Sequence, residues 1–379
     1  MFTCDILRPI TLLIVACPCA LVLGPPTAVA AAIANAARRG ILIKSGAALE
    51  MSGRLDTVVF DKTGTLTQGR PRVVAVECLE CQPGHGVKDI LRYAAVSEKL
   101  SEHPLGQAIM QHAIETGLDV PDPDTFAVQP GQGVTARHGE WEIVLGSREH
   151  LRRSGVSLSS TIEDYMALRE SLGETVLLMA HRNGRQAEMC GAISVADVLR
   201  KDAALAVGEL STLDIQMTMH TGDNSRTAKT IAGHLGIERV MSELLPEEKV
   251  AAIATLQTEG RRVAMVGDGI NDAPAMATAD VGVAMGAIGT DVTVEVSDVA
   301  LMADDLGKIP QTIRLGRVAL RVIRQDIAFA LAFNVVMLLL ASSGMLSMVA
   351  GAILHQASSL AVALNSMRLL LYRPGLRQS

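Results

Sequence analysis

The apolar positions of this chain fall into two textures. Three segments are apolar nearly throughout: residues 9–36, uncharged between Arg8 and Arg38, residues 327–344, and residues 345–367. Each is close to the roughly 20 residues that a helix needs to cross a bilayer. Between the first and second lies a stretch of mixed polarity, where short apolar runs alternate with amphipathic ones. Thr57-Val58-Val59-Phe60, Ile215–Met219 and Val263–Val266 read as buried strands, and Ser225–Leu235 and Glu247–Thr258 as helices. Such alternation predicts a parallel sheet with helices on both faces.

Residues 72–183 have a different character. They hold Pro and Gly clusters (Gln82–Gly86, Val120–Asp124) and the single tryptophan, Trp141. This region reads as a domain inserted into the α/β domain, with the parallel sheet expected to restart at Gly191-Ala192-Ile193-Ser194. The predicted organisation is a first membrane helix over 1–37 and an α/β domain over 38–71 and 184–312. The inserted domain spans 72–183, two membrane helices 313–372, and a tail 373–379.

Composition agrees with a soluble body carrying membrane segments. Aromatics are only 2% of the 379 residues, and the mean hydropathy of +0.30 is high for a soluble protein. A net charge of −6 gives no basis for nucleic-acid binding. Six cysteines in a chain of this size are no secreted disulfide framework and fit a reducing compartment. Cys78-x-x-Cys81, with His85 nearby, reads as incidental surface cysteines, with a metal clip or redox pair as the other readings. Arg38, Arg39 and Lys44 follow the first apolar segment, Arg314, Arg317, Arg321 and Arg324 precede the second, and Arg368, Arg373 and Arg377 follow the third. All three clusters lie on one side if the middle region is cytoplasmic, which is the positive-inside bias. The first segment lacks the basic start and cleavage site of a signal peptide.

The chemistry begins at Asp61-Lys62-Thr63-Gly64-Thr65-Leu66-Thr67, directly after the Thr57–Phe60 strand. A strand ending in aspartate delivers a carboxylate to the C-terminal edge of a parallel sheet, where ligands bind in open α/β folds. Such a carboxylate can attack a phosphoryl group. In the membrane, Cys17 and Cys19 flank Pro18, which breaks the helical hydrogen-bond ladder. Thiolates there select soft ions such as Cu(I), Zn²⁺ and Cd²⁺. Partners available in the other apolar segments are Asn334, His355, Ser358 and Ser359.

Together these motifs resemble the P-type ATPases, and within them the heavy-metal (type IB) pumps. Asp61-Lys62-Thr63-Gly64-Thr65, Thr221-Gly222-Asp223-Asn224, Gly267-Asp268-Gly269-Ile270-Asn271-Asp272-Ala273-Pro274, Cys17-Pro18-Cys19 and Ser101-Glu102-His103-Pro104 occur in family order from Thr11 to about Leu370. The resemblance implies a haloacid-dehalogenase-like, doubly wound parallel sheet with an inserted α+β nucleotide-binding domain and transmembrane helices. It implies Asp61 as the phosphorylated nucleophile, with Lys62 beside it. Asp268 would hold Mg²⁺ together with Asp61 and the carbonyl of Thr63. Thr221, Gly222, Asp223 and Lys249 would bind the phosphoryl group, and Asn271 and Asp272 would orient the site. Glu98, His103, Gly131, Gly133 and Gly146 would line the ATP pocket.

The implied function is ATP hydrolysis through an aspartyl phosphate, coupled to export of a soft metal ion. The implied place is the cytoplasmic (inner) membrane of a bacterium, with the catalytic domains in the cytoplasm. For the ion, Cys17, Cys19, Asn334, His355 and Ser358 are the expected ligands. Phe333-Asn334 stands where copper pumps carry Tyr-Asn, and His355-Gln356-Ala357-Ser358-Ser359 where they carry Met-x-x-Ser-Ser. Neither the lysine nor the aspartate usual in zinc and cadmium pumps is found in those helices. Cobalt-type pumps share a similar histidine but carry Ser-Pro-Cys. Cu(I) is placed narrowly ahead of Zn²⁺, Cd²⁺ and Co²⁺.

No actuator domain with a Thr-Gly-Glu loop precedes the Cys-Pro-Cys segment, so the chain reads as the C-terminal half of a pump. Its expected partners are then the lipid bilayer, the missing N-terminal half and a metallochaperone. Two other readings stand beside the pump: a membrane-anchored phosphatase of the same fold, and a non-transporting remnant. Against the phosphatase, Thr63 occupies the position where those enzymes generally carry a second aspartate.

Overall fold

The computed structural model describes residues 7–81, 86–183, 186–268, 272–286 and 295–373. The first apolar segment forms two helices, α1 (Leu7–Val15) and α2 (Cys19–Arg38), separated at Ala16-Cys17-Pro18. Pro25 and Pro26 lie inside α2 and remove two further backbone donors.

The α/β body follows. It consists of β1 (Ile41–Ile43), α3 (Gly46–Ser52) and β2 (Thr57–Asp61), then, after the insertion, α8 (Ala203–Ser211), β9 (Gln216–His220), α9 (Ser225–Leu235), β10 (Arg239–Met241), α10 (Pro246–Thr258), β11 (Val263–Gly267), α11 (Ala273–Thr278), β12 (Val281–Ala284) and β13 (Val299–Leu301). The sheet order is β1-β13-β12-β11-β2-β9-β10, parallel throughout except for the β1–β13 pair. The central strands are buried on both faces, which is why they read as unbroken apolar runs. Successive side chains alternate between two cores. Val58, Phe60, Ala264 and Val266 pack with α2, α3, α8 and α9, while Val59, Val263 and Met265 pack with α10 and α11.

The insertion is a six-stranded antiparallel sheet. It contains β3 (Arg72–Cys78), α4 (Val87–Glu98), α5 (Pro104–Glu115), β4 (Thr125–Gln129), β5 (Gly133–His138), β6 (Trp141–Gly146), α6 (Arg148–Arg153), α7 (Ser160–Ser171), β7 (Thr175–Asn183) and β8 (Gln186–Ala196), with sheet order β3-β8-β7-β6-β5-β4. Here one expectation fails. Gly191–Ser194 do not restart the parallel sheet. They lie in β8, which pairs with β3 and β7, so the insertion runs to Ala196 rather than ending at 183. β8 is buried on both faces, between the α4–α5 core and the α6–α7 core, and its apolar run therefore looked like a parallel strand.

The insertion docks on the α/β body through α7 and α9. Glu170, almost fully buried, accepts from Arg148 Nη2 at 2.5 Å within its own domain and from Arg226 Nη1 at 2.9 Å across the boundary. Thr227 Oγ1 donates to the Glu174 carbonyl at 2.9 Å beside it.

The chain ends in α12 (Lys308–Ser342), α13 (Met348–Met367) and a 3₁₀ turn (Arg368–Leu371). Pro9–Arg38, Lys308–Ser342 and Met348–Leu371 are long and apolar enough to cross a membrane. Their outer faces expose Leu13, Val22, Leu331, Val335, Leu339, Ile353 and Leu364, as a lipid-facing surface requires. The basic ends of the first and third spans meet: Asn35 Nδ2 donates to the carbonyls of Leu369 and Tyr372, and Arg39 Nη2 to that of Tyr372.

Candidate functional site

Three adjacent strands, β9, β2 and β11, end at one edge and place Thr221, Asp61 and Asp268 there. The turn after Asp61 depends on Gly64, whose φ is +73°. A Cβ at Gly64 would lie 2.7 Å from Asp268 Oδ2, so only glycine lets the two loops approach. Thr67 Oγ1 donates to Asp197 Oδ2 at 2.5 Å, and Arg200 Nη2 donates to the Gly64 carbonyl at 2.9 Å. Both bonds clamp the loop from beyond the insertion.

Lys249 on α10 joins the carboxylates. Its Nζ lies 2.6 Å from Asp61 Oδ1 and 2.7 Å from Asp272 Oδ1, with all three side chains buried. Burial pushes the Asp61 carboxyl well up, to about 7; Asp272 and Asp268 push the same way and Lys249 opposes them. For Lys249 burial pulls downward, but Asp61 and Asp272 outweigh it and hold the ammonium above its ordinary range. Lys62 Nζ pairs with Asp223 on the neighbouring loop. Thr221 Oγ1 accepts from the Asp223 N–H at 3.1 Å, and Asn224 caps α9 by accepting from Arg226 and Thr227 N–H. Gly222 sits against the Leu244 carbonyl. Asn271 lies outside the described residues, and Thr63 occupies the turn itself.

In the insertion, Gly133 and Gly146 are directly paired across β5 and β6. A Cβ on Gly146 would lie 2.3 Å from the Gln132 carbonyl, and one on Gly133 2.2 Å from that of Leu145. Gly131, with φ +72°, faces Leu245 of the α/β body. His103 is the N-cap of α5: its Nδ1 accepts from Leu105 N–H at 3.2 Å. Burial lowers its proton affinity, and Asp223 across the domain boundary opposes that. Glu98 ends α4, buried beside Gly106, and its Oε2 has no hydrogen-bond partner. Burial raises its carboxyl, while a hydrogen bond from Ser101 opposes.

In the membrane, Cys17, Cys19 and His355 bring their ligand atoms within 4.8 Å of one another. The structure joins the two sulfurs as a disulfide, so holding an ion between them and the imidazole requires the reduced thiols. A cavity of about 290 Å³ between α1, α2, α12 and α13 is lined by Cys17, Asn334, His355 and Ser358. Asn334 Oδ1 and His355 Nε2 are buried without hydrogen-bond partners. Ser358 and Ser359 instead donate to the His355 carbonyl, at 2.7 and 3.3 Å.

A family model of haloacid dehalogenase-like hydrolases matches residues 55–280. The chain belongs to that family, in its heavy-metal P-type ATPase branch. It is 43% identical over 376 residues to a manganese-exporting P-type ATPase of Mycobacterium bovis, covering 98% of this chain and 51% of that protein. It is 40% identical over 361 residues to a copper-exporting P-type ATPase of Staphylococcus epidermidis, covering 95% and 44%. The crystal structure of a zinc-transporting PIB-type ATPase in the E2.Pi state superposes with a TM-score of 0.72 at 38% identity, covering 96% of this chain and 57% of that one. The chain thus spans about half the length of the curated relatives it matches. Relatives named for manganese, copper and zinc are nearly equally similar, so similarity does not single out Cu(I).

ATP and Mg²⁺ are the cofactors of P-type ATPases, and the donor set here fits the metal. Asp61 and Asp272 share one ammonium and Asp268 adds a third carboxylate close to Asp61, so the cluster has an excess of negative oxygen donors suited to a hard cation. Sequence reasoning passed over three residues of this P-type ATPase site. Asp197 and Arg200, which clamp the turn after Asp61, lie 130 residues or more away from it in sequence and carry no local signal. His220 ends β9 beside Asp61, fully buried, with both ring nitrogens unpartnered. Its strand alternates polar and apolar residues, Gln216-Met217-Thr218-Met219-His220, so a polar residue at its end carries little signal.

Proposed function

We propose that this chain is the ATP-hydrolysing and terminal membrane portion of a metal-exporting P-type ATPase whose cargo is a divalent borderline ion of the Zn²⁺ class. The observation that carries the choice of ion is the pair of orphaned buried atoms, Asn334 Oδ1 and His355 Nε2, on the cavity that holds Cys17. Two thiolates, an imidazole and an amide oxygen make a four-donor set of the kind tetrahedral zinc takes. Cu(I), softer still, has less use for the oxygen. The ion order that residue types alone suggested is reversed on this reading.

In the catalytic half, Asp61 attacks the γ-phosphorus of ATP. The bond to the β-phosphate oxygen breaks, ADP leaves, and an acyl phosphate remains until water cleaves it. Asp61, Asp268 and the Thr63 carbonyl would hold Mg²⁺, which would supply charge neutralisation for the transferred phosphoryl group. Lys249 keeps Asp61 and Asp272 from repelling each other. Thr221 and the Gly222 N–H offer donors to the phosphoryl oxygens. Glu98, His103, Gly131, Gly133 and Gly146 form the nucleotide side, where backbone can approach a flat base because no Cβ intervenes.

The test is made on the chain in lipid nanodiscs. Acid-stable label from γ-labelled ATP is expected in the parent and absent in Asp61→Asn. Zn²⁺ binding is expected to weaken in Cys17→Ser and in His355→Ala, with Cu(I) binding unmoved by the latter. Equal labelling of parent and Asp61→Asn would sink the phosphoenzyme. Zn²⁺ binding indifferent to His355→Ala would return the ion to Cu(I).

A further inference from the structure

A second polar cluster lies in the same bundle, at a level the thiol site does not reach. Asp326 of α12 is 2% exposed. Its Oδ1 accepts from Asn365 Nδ2 at 2.7 Å and its Oδ2 from Ser366 Oγ at 2.7 Å, both on α13. Ser366 Oγ also reaches the Gly24 carbonyl of α2, at 3.2 Å. Glycine at 24 is what allows this approach: a Cβ there would lie 3.3 Å from Asp326 Cβ and 3.0 Å from Val362 Cγ1. Among the described residues, no basic side chain forms an ion pair with Asp326.

A carboxylate sunk where three apolar helices meet is costly as an anion unless a cation sits beside it. Both of its donors here are neutral. The group therefore lacks what its burial demands, while four oxygen-bearing groups converge at one place: the carboxylate of Asp326, the hydroxyl of Ser366, the carbonyl of Gly24, and the amide of Asn365 once it turns over to present Oδ1. The oxygen atoms come from three different helices, so an ion held there would tie all three together.

We propose that Asp326, Asn365, Ser366 and the Gly24 carbonyl form a second, oxygen-donor cation site for a divalent metal ion. It is placed on the catalytic-domain side of the thiol–imidazole site. Gly24 is five residues beyond Cys19, Asp326 eight before Asn334, and Ser366 eight beyond Ser358. At about 1.5 Å per residue these offsets put the two sites roughly 8–12 Å apart along the helices. The divalent ion arrives at oxygen ligands, which replace part of its water shell, and passes on to the softer donors. Oxygen-only donors suit Mn²⁺, Mg²⁺ and Ca²⁺ and discriminate against Cu(I). The direction of passage rests on the export reading above; the existence of the site does not.

The test counts bound Mn²⁺ by loss of the free-ion paramagnetic resonance signal. It uses the full chain in nanodiscs carrying Cys17→Ser, Cys19→Ser and Asp268→Asn, so that neither the thiol site nor the catalytic Mg²⁺ site contributes. One tightly held Mn²⁺ per chain is expected. Asp326→Asn, which is isosteric, should weaken it by about 10–100-fold, as loss of ligand support does at protein metal sites. Ser366→Ala should weaken it less and decides the matter if Asp326→Asn fails to fold. Mn²⁺ held equally by parent and both variants, or by none of them, would overturn the proposal. Because the thiols are already absent, failure of Zn²⁺ binding at Cys17 leaves this result untouched, and failure here leaves that one untouched.

Discussion

Lys249 Nζ stands 2.6 Å from Asp61 Oδ1, a bond between residues 188 positions apart in sequence. It sets the charge state of the nucleophile. With burial and two neighbouring carboxylates pushing Asp61 to about 7, the Lys249 ammonium opposes them and favours the ionised form. At fixed Mg²⁺, phosphoenzyme formation is expected to rise with pH as Asp61 ionises. Lys249→Met should move that rise to higher pH and lower the rate at neutral pH by about 100-fold or more, the scale of losing one charge-stabilising group in a dry site. Rapid acid quench between pH 6 and 9 reads both effects. An unmoved profile would remove Lys249 from the nucleophile's environment.

His220 supplies a stability prediction. Burial, with Lys249 and Arg239 adding to it, lowers the ring from 6.5 to about 4. The unfolded chain therefore binds the proton first, so the stability contributed by the neutral ring is complete above 6.5 and is lost as pH falls through about 4. The loss amounts to about 3 kcal/mol at most. His220→Leu should flatten the fall in melting temperature across that interval, with little change at pH 8. A parallel fall in both proteins would show that other groups govern it.

The Glu170–Arg226 bond makes a prediction about domain docking. Arg226→Ala removes the cross-domain partner but leaves Arg148 to neutralise Glu170. Arg226 is half exposed, so the expected loss is modest, about 1 kcal/mol. Glu170→Ala removes the buried partner of both arginines together with its packing, and should cost more. Limited proteolysis at the 196–200 connection should accelerate in that order, and equal rates in all three proteins would contradict it.

Gly146→Ala tests the nucleotide pocket. The added methyl would overlap the Gln132 carbonyl and Gly133 Cα, and forcing β5 and β6 apart should cost about 1–3 kcal/mol. ATP affinity measured by calorimetry should fall with it. His103→Ala should instead remove a helix cap worth about 1 kcal/mol and weaken ATP binding, whereas His103→Asn restores the cap alone. Equal ATP affinity in all three would leave His103 a cap and nothing more.

Asp61 was readable from the chain because it closes a buried strand and opens a glycine-bearing turn. Thr221 and Asp268 were found through the resemblance of their motifs to the family. β8 was misassigned for a physical reason: a strand buried on both faces of an antiparallel sheet has the same apolar run as a parallel one. The Glu170–Arg226 bond joins residues 56 apart and the Asp326 cluster joins three helices, so neither leaves a mark in any window of sequence. Cys17 and Cys19 announced themselves. That His355 would face them, with Ser358 turned to its own backbone, depended on how α13 rotates against α2.

α12 carries one further consequence. Its first half, with Ile309, Ile313, Leu315, Ala319 and Val322, is part of the catalytic core, and its second half exposes Leu331, Val335 and Leu339. No loop separates the two. Over 35 residues, about 52 Å, it is a single drive shaft. The C-terminal end of α3 and α12 touch backbone to backbone at Gly53 and Gly316, where a Cβ on either would lie only 2.5 Å from the other's backbone. Torque applied where phosphate is transferred would thus be delivered to the level of Asp326 and Asn334 with little slack. The compliance needed for turnover would have to reside outside this frame, because Gly40 at the exit of α2 is pinned as well: its N–H donates to the Ala37 carbonyl and its own carbonyl accepts from Met302 N–H.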